Sequence, residues 1–161
     1  MILEAPNNLL SYDGLGTKVF LAGTIENGKS VDWQDEISKY GDSIGLTMFN
    51  PRRKNWNKNA KRQEIDEQIN WELSHMEKAD VIIMNILGDS KSPISLLELG
   101  LYARNSSKLI VFCPETFYRF DNVRVTCIKY GVELFVIDDY EANIKHIKRT
   151  LLKLSEYGNS N

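Results

Sequence analysis

Glu98 is an acid placed where a helix keeps its apolar stripe, within the run Ser92-Pro93-Ile94-Ser95-Leu96-Leu97-Glu98-Leu99-Gly100. A buried carboxylate without a partner is costly or takes up a proton, so the placement requires either a buried salt bridge or a chemical role. Ser92 and Pro93 read as N-cap and first helical position, which leaves Glu98 less than two turns into the helix. Helical side chains lean toward the N-terminus, so this carboxylate points back toward the mouth of the preceding loop. On an earlier predicted helix Gln68, Glu72 and His75 fall at i, i+4 and i+7 and share a face. Glu72 is then either a second carboxylate near the same sheet edge or a solvated, salt-bridged helix residue. If the two helices converge, the paired acids suit glycosidic chemistry: one attacks or stabilises an anomeric carbon, and the other assists the departing group. Ser92 is placed to contact a sugar hydroxyl or a phosphate, or to do no more than cap its helix.

Two loops add candidate ligand contacts. Ala22-Gly23-Thr24-Ile25-Glu26-Asn27-Gly28-Lys29-Ser30 offers glycines, a hydroxyl and a lysine ahead of a helix, where exposed amides hold an anion or form an ordinary turn. Glu26 in that loop repels a phosphate unless it points away. Asn50-Pro51-Arg52-Arg53, followed by Trp56, brings two guanidinium groups and an indole that can clamp a phosphate and stack on a base, or form a solvated basic loop with one anchoring tryptophan. Other chemistries lack their residues. There is no GxSxG elbow, no CxxC, no GxGxxG or GxxxxGK[ST] run, and only two histidines, so neither a metal nor a cofactor is expected.

The elements that must position these groups follow a regular order. Residues 1–17 read as an irregular lead-in, and 18–157 as a single domain. Strands are predicted at Lys18–Gly23, Leu46–Asn50, Asp80–Asn85, Lys108–Cys113 and Glu133–Ile137. Helices are predicted at about Val31–Asp42, Arg62–Lys78, Pro93–Asn105, Asn122–Tyr130 and Glu141–Glu156, the second with Ile65, Ile69, Leu73 and Met76 on its inner face. Five strands alternating with five helices imply an α/β fold, a five-stranded parallel sheet sandwiched by helices, flavodoxin-like or Rossmann-like. Ligands of such sheets bind beyond the carboxyl ends of the strands at a switch point, which selects the loops after Gly23, Asn50, Asn85 and Cys113.

The composition sets limits on partners. A chain of 161 residues with 42% hydrophobic and 26% charged residues builds one well-packed core. A net charge of −2 argues against stable nucleic-acid binding through phosphate neutralisation, leaving a small-molecule partner. Two cysteines without metal or redox spacing, no signal-peptide pattern and no long apolar run point to a cytoplasmic protein without membrane contact.

At these residues the chain resembles the nucleoside 2-deoxyribosyltransferase superfamily, most closely its nucleoside 2-deoxyribosyltransferase-like branch. The matching stretches are Val19 to Glu26, Asp32-Trp33-Gln34, Asn50 to Arg53 with Trp56, Gln68-Ile69-Asn70-Trp71-Glu72, Ala79 to Ile82, Ser92 to Gly100 and Phe117 to Val123, in family order from about residue 18 to 138. The resemblance implies a homodimer or larger homo-oligomer that cleaves or exchanges the N-glycosidic bond of a nucleoside or nucleotide. Glu98 matches the family nucleophile, which forms a covalent glycosyl-enzyme intermediate. Glu72 falls where better-studied members carry an aspartate that protonates or positions the base. Ser92 stands where the transferases carry an aspartate for the sugar 5′-hydroxyl and where the related 2′-deoxynucleoside 5′-phosphate N-hydrolases carry a phosphate-binding serine, and Thr24 matches another phosphate-contacting serine of those hydrolases, which favours a nucleotide. Glu26 stands where those hydrolases carry an arginine, making Arg52 and Arg53 the candidates to replace that charge. Asn122 resembles a polar residue that a neighbouring subunit contributes. The expected site is therefore Glu98 and Glu72 with Gly23, Thr24, Asn50, Arg52, Arg53, Trp56, Ser92 and Asn122. The rival expectation is a non-catalytic nucleotide-binding or sensing module on the same fold.

Overall fold

The computed structural model describes residues 1–7, 16–55 and 59–158. Six parallel strands form one sheet in the order β1-β3-β2-β4-β5-β6: β1 (Ile2–Glu4), β2 (Lys18–Gly23), β3 (Thr47–Asn50), β4 (Val81–Asn85), β5 (Leu109–Phe112) and β6 (Glu133–Phe135). The expectation of five strands is corrected to six. The added strand is a three-residue edge inside the segment read as lead-in, pairing Ile2 with Met48 and Leu3 with Phe49. So short a run has no period of its own, and it is a strand because β3 presents an edge for it to join. Trp56 lies outside the described residues.

The β2, β4 and β5 strands are almost wholly buried, as continuously apolar runs in a parallel sheet require. Helices α1 (Trp33–Ser43) and α5 (Tyr140–Gly158) cover one face, packing Trp33, Ile37, Ile147 and Leu151 on Leu21, Ile83 and Phe112. The other face takes α2 (Arg62–Lys78), α3 (Pro93–Tyr102) and α4 (Phe120–Tyr130), with Trp71, Met76, Leu99, Val123 and Cys127 on Phe20, Ile82 and Met84. Cys113 and Cys127 are free and buried, and burial pushes their thiols to about 12 and about 11. Among the described residues no helix is long and apolar enough to cross a membrane.

The expected inner face of α2 is also corrected. Ile65, Ile69 and Leu73 are 40–48% exposed, while Gln68, Trp71, His75 and Met76 are buried. Trp71 decides the rotation, since it carries the largest apolar area on the helix. It stacks on His75 with ring centroids 4.0 Å apart and donates its indole N–H to the Asn7 carbonyl at 2.7 Å. His75, placed by the sequence on the face of Gln68 and Glu72, belongs to the core: its Nδ1 meets the Trp71 carbonyl at 2.7 Å and its ring meets Phe49 edge-on.

The chain leaves β2 toward β3 on one side and returns to β4 on the other, so the switch point lies between β2 and β4. Their ends pair in register, Gly23 with Asn85. Gly23 holds φ at +128°, and a Cβ there would sit 2.0 Å from the Asn85 carbonyl oxygen. Only glycine permits that approach.

Candidate active site

Above the ends of β2 and β3, between α2 and α3, lies a cavity of about 460 Å³ whose lining includes Glu98, Glu72, Gln68, Arg53, Glu26 and Ser92. This size suits a small metabolite. α3 turns Ser95, Glu98 and Leu99 inward and leaves Ile94, Leu97 and Leu101 55–61% exposed. The helix thus buries its acid and presents leucines outward. Glu98 is 8% exposed, and burial together with the nearby Glu72 carboxylate pushes it up to about 8.

Glu72 approaches from α2, as the spacing from Gln68 predicts. Burial raises its pKa, opposed by the Gln68 hydrogen bond and by the Arg53 charge. The Gln68 amide donates to Glu72 Oε1 at 2.7 Å and to the Pro51 carbonyl at 2.9 Å, while its oxygen accepts from Arg53 Nε. Glu72 therefore has compensating partners, and Glu98 has an uncompensated burial penalty. Burial thus favours the protonated form of Glu98 more than that of Glu72. Gln68 is the positioning residue that the list of expected contacts omitted, although its helical spacing from Glu72 was visible.

At the other end of the cavity the two loops meet. Ser92 has φ +41° and leads into α3, but its hydroxyl caps nothing. It lies 2.6 Å from Thr24 Oγ1 and 2.8 Å from Ser90 Oγ, and the latter two are 3.0 Å apart. The capping role falls to Glu26, whose Oε1 accepts from the backbone N–H groups of Lys91 at 2.9 Å and Ser92 at 3.0 Å. A carboxylate there takes the N-cap amide and the one before it, and meets the positive end of the helix dipole. Ser90 carried no sequence signal; its role depends on meeting Thr24, 66 residues earlier.

The remaining expected contacts divide. Gly23, Arg53 and Ser92 line the cavity. Arg52 lines it too, yet its guanidinium is engaged with the first loop. It donates to the carbonyls of Gly28, Ser30 and Val31 and to Ser30 Oγ at 2.8–3.2 Å, with Asp32 3.5 Å from Nε. Asn50 is buried and forms a turn, its Oδ1 accepting from the Arg52 N–H at 2.9 Å. Thr24 lines a second cavity of about 620 Å³ with Asp89, Asp138, Tyr140 and Asn143, which holds neither Glu72 nor Glu98. Asn122 lines a third, of about 310 Å³, with Arg119 and Leu96. Among the described residues no three His, Cys, Asp or Glu side chains gather closely enough to hold a metal ion.

Two helices on one face of the sheet thus bring two carboxylates into one cavity, with amide and guanidinium groups beside Glu72. By fold, the chain is similar to a 2-deoxyribosyltransferase from the psychrotolerant bacterium Bacillus psychrosaccharolyticus, with a TM-score of 0.51 and 18% identity over 60% of this chain and 72% of that one. It is similar to the CMP N-glycosidase BcmB of Clostridium botulinum, with a TM-score of 0.55 and 14% identity over 83% and 99% of the two chains. A conserved protein from Enterococcus faecalis V583 gives a TM-score of 0.58 and 11% identity over 84% and 99%. At these identities the likeness is one of fold. No protein of curated function matches by sequence. The model of the family described as nucleoside 2-deoxyribosyltransferase like does match, over residues 16–117, well over half of the chain. Since that match runs from β2 through β5 and includes Gly23, Glu72, Ser92 and Glu98, the chain belongs to the nucleoside 2-deoxyribosyltransferase-like family.

Proposed function

We propose that this protein cleaves or exchanges the N-glycosidic bond of a nucleoside or nucleotide, with Glu98 attacking the anomeric carbon. The observation that carries the reading is buried Glu98 and half-buried Glu72, one from each of two helices, lining a single cavity. As a Glu98 oxygen bonds to the anomeric carbon, the C–N bond breaks and its electrons pass to the base, which takes up the proton held by the pair. Positive charge developing at the anomeric carbon favours ionised Glu98, so a proton on Glu98 passes to Glu72 or to the base. Water then releases the sugar from Glu98, or a second base replaces the first.

The test is chromatography of nucleosides and mononucleotides for free base, with and without an acceptor base. Glu98→Ala is expected to abolish release, and a peptide containing Glu98 to carry the sugar's mass in quenched wild-type enzyme. Release at the wild-type rate from Glu98→Ala overturns the reading. Saturable binding without turnover by the wild type identifies a binding module instead.

The working form we propose is a pair of copies joined through α3. An exposed apolar helix face is stabilised when covered, and Ile94, Leu97 and Leu101 stand exposed on the outer face of α3, as Ile65 and Ile69 do on α2. Ile65, Ile69 and Ile94 also line the catalytic cavity, so a second copy on this face closes the cavity's rim. Asn122 is outside its own chain's catalytic cavity, which fits a residue supplied to a partner.

A further inference from the structure

The sugar end of the catalytic cavity is already occupied by an anion of the protein's own. Glu26, three residues beyond β2, holds φ at +49° and turns its carboxylate onto the start of α3. There it takes the Lys91 and Ser92 amides, two donors at the cavity wall that would otherwise be open to an anionic group of a ligand. The neighbouring hydroxyls are spent as well. Ser90 Oγ donates to the Leu87 carbonyl at 2.7 Å and Thr24 Oγ1 accepts from the Leu87 N–H at 2.9 Å. Thr24, Ser90 and Ser92 also hydrogen-bond to one another, so each hydroxyl already has partners within the protein. Arg52 is committed to the carbonyls of the first loop. Lys91 lines this end with its side chain exposed, where solvent screens its charge.

The two ends of the cavity differ in what they can hold. The α2 end has the Glu72 carboxyl and the Arg53 guanidinium, both held by Gln68, to face the edge of a base, with Ile65 and Ile69 to cover its faces. The α3 end has the Glu26 carboxylate, the Ser92 and Ser95 hydroxyls, the exposed Lys91 and the backbone at Gly23 and Gly28. Since a helical side chain lies over the turn before its own Cα, the Glu98 carboxylate sits about one turn, roughly 5 Å, from the start of α3. A furanose with its anomeric carbon at Glu98 and its base toward α2 therefore points its exocyclic 5′ carbon at Glu26.

Resting on the reading of this cavity as an N-glycosidic site, we propose that Glu26 determines specificity: it accepts the 5′-hydroxyl of a nucleoside and turns away the 5′-phosphate of a nucleotide. Oε1 is held by the two amides, and among the described residues no donor meets Oε2. A hydroxyl donating to Oε2 makes a charge-assisted hydrogen bond, whereas a phosphate there meets a like charge. To seat the phosphate, Glu26 must leave the helix terminus it caps. This reverses the preference for a nucleotide that Ser92 and Thr24 suggest by residue type.

The experiment pairs turnover with binding. For each nucleoside and its 5′-monophosphate, kcat/KM is measured in the wild type, Glu26→Gln and Glu26→Ala. Affinity is measured calorimetrically in the Glu98→Ala background, where turnover plays no part. The wild type is expected to prefer the nucleoside by ~100-fold or more, and Glu26→Gln to reduce that preference at least ~10-fold. Glu26→Ala, which also removes the charge, is expected to move it the same way. A wild type that prefers the monophosphate, a preference unchanged in both Glu26 variants, or no binding of either ligand overturns the proposal. If no base is released but Glu98→Ala binds the nucleoside more tightly than the monophosphate and Glu26→Gln removes the difference, the glycosidic reading fails and the role of Glu26 stands.

Discussion

The Ser92 amide donates to Glu26 Oε1 at 3.0 Å, joining the two non-glycine residues that hold positive φ among those described. Left-handed backbone at a residue with a Cβ costs on the order of 1 kcal/mol, so both ends of this contact are held in place by what it stabilises. Glu26→Ala removes the cap while keeping the strain, and a loss of about 1–2 kcal/mol is expected. Glu26→Gly removes the same cap and relieves the strain, so in urea denaturation it should be the more stable of the two. An alanine variant at least as stable as the glycine one shows that φ at Glu26 is not a source of strain.

Glu98 gives a stability signal independent of activity. Its pKa in the folded protein, about 8, lies above the ordinary 4.5. Such a group contributes stability that is fully present below pH 4.5 and is lost as pH rises through 8. Glu98→Gln cannot ionise, so it should gain on the wild type as pH rises from 5 to 9, reaching on the order of 3 kcal/mol, or roughly 6–12 °C in Tm. Thermal melts across that range test it, and a difference that does not change with pH contradicts the burial of an ionisable Glu98.

The rate profile follows from the pair rather than from either acid. In the proposed mechanism turnover requires one proton on the two carboxylates, so activity should fall on the acid side as the pair gains its second proton and on the alkaline side as it loses its last. In Glu72→Gln the neighbouring charge that helps to raise Glu98 is gone. The residual rate, at least ~100-fold lower, should then rise with pH and level off, without an alkaline decline. A bell that persists in Glu72→Gln assigns the alkaline limb to another group.

Arg52 is expected to govern the first loop without touching substrate. Arg52→Ala leaves the carbonyls of Gly28, Ser30 and Val31 without their guanidinium donor. A destabilisation of about 2–4 kcal/mol is expected, and Arg52→Lys should recover only a minor part, since an ammonium lacks the planar fork. Because this loop carries Glu26, KM should rise more than kcat falls. A lysine variant as stable as the wild type means that the fork is not needed.

Leu97 and Leu101, 61% and 55% exposed, test the proposed pairing. Leu97→Glu with Leu101→Glu should convert a dimer to a monomer by light scattering, with base release falling at least ~10-fold if the partner closes the cavity. A wild type that is monomeric at working concentration ends that proposal.

Much of this architecture is written locally. Helix α2 occupies Arg62–Lys78 and β2 occupies Lys18–Gly23, as their patterns predict, because periodicity and terminal residues act over a few positions. The inward turn of Glu98 follows in the same way from its register with Ser95 and Leu99. Element order, the parallel sheet and the carboxylates on α2 and α3 were thus determined by the sequence alone. The tertiary structure decided the rest, because the deciding partners are far apart along the chain. Trp71 rotated α2 by finding its pocket, so Ile65 and Ile69 came to line a cavity instead of the core. β1 exists only because β3 offers an edge. Arg52 reads as a phosphate clamp by type, yet five-donor geometry and three nearby carbonyls bind it to a loop more than twenty residues earlier. Glu26 and Ser92, 66 residues apart, meet because a helix terminus requires an acceptor, and folding delivers a carboxylate to it.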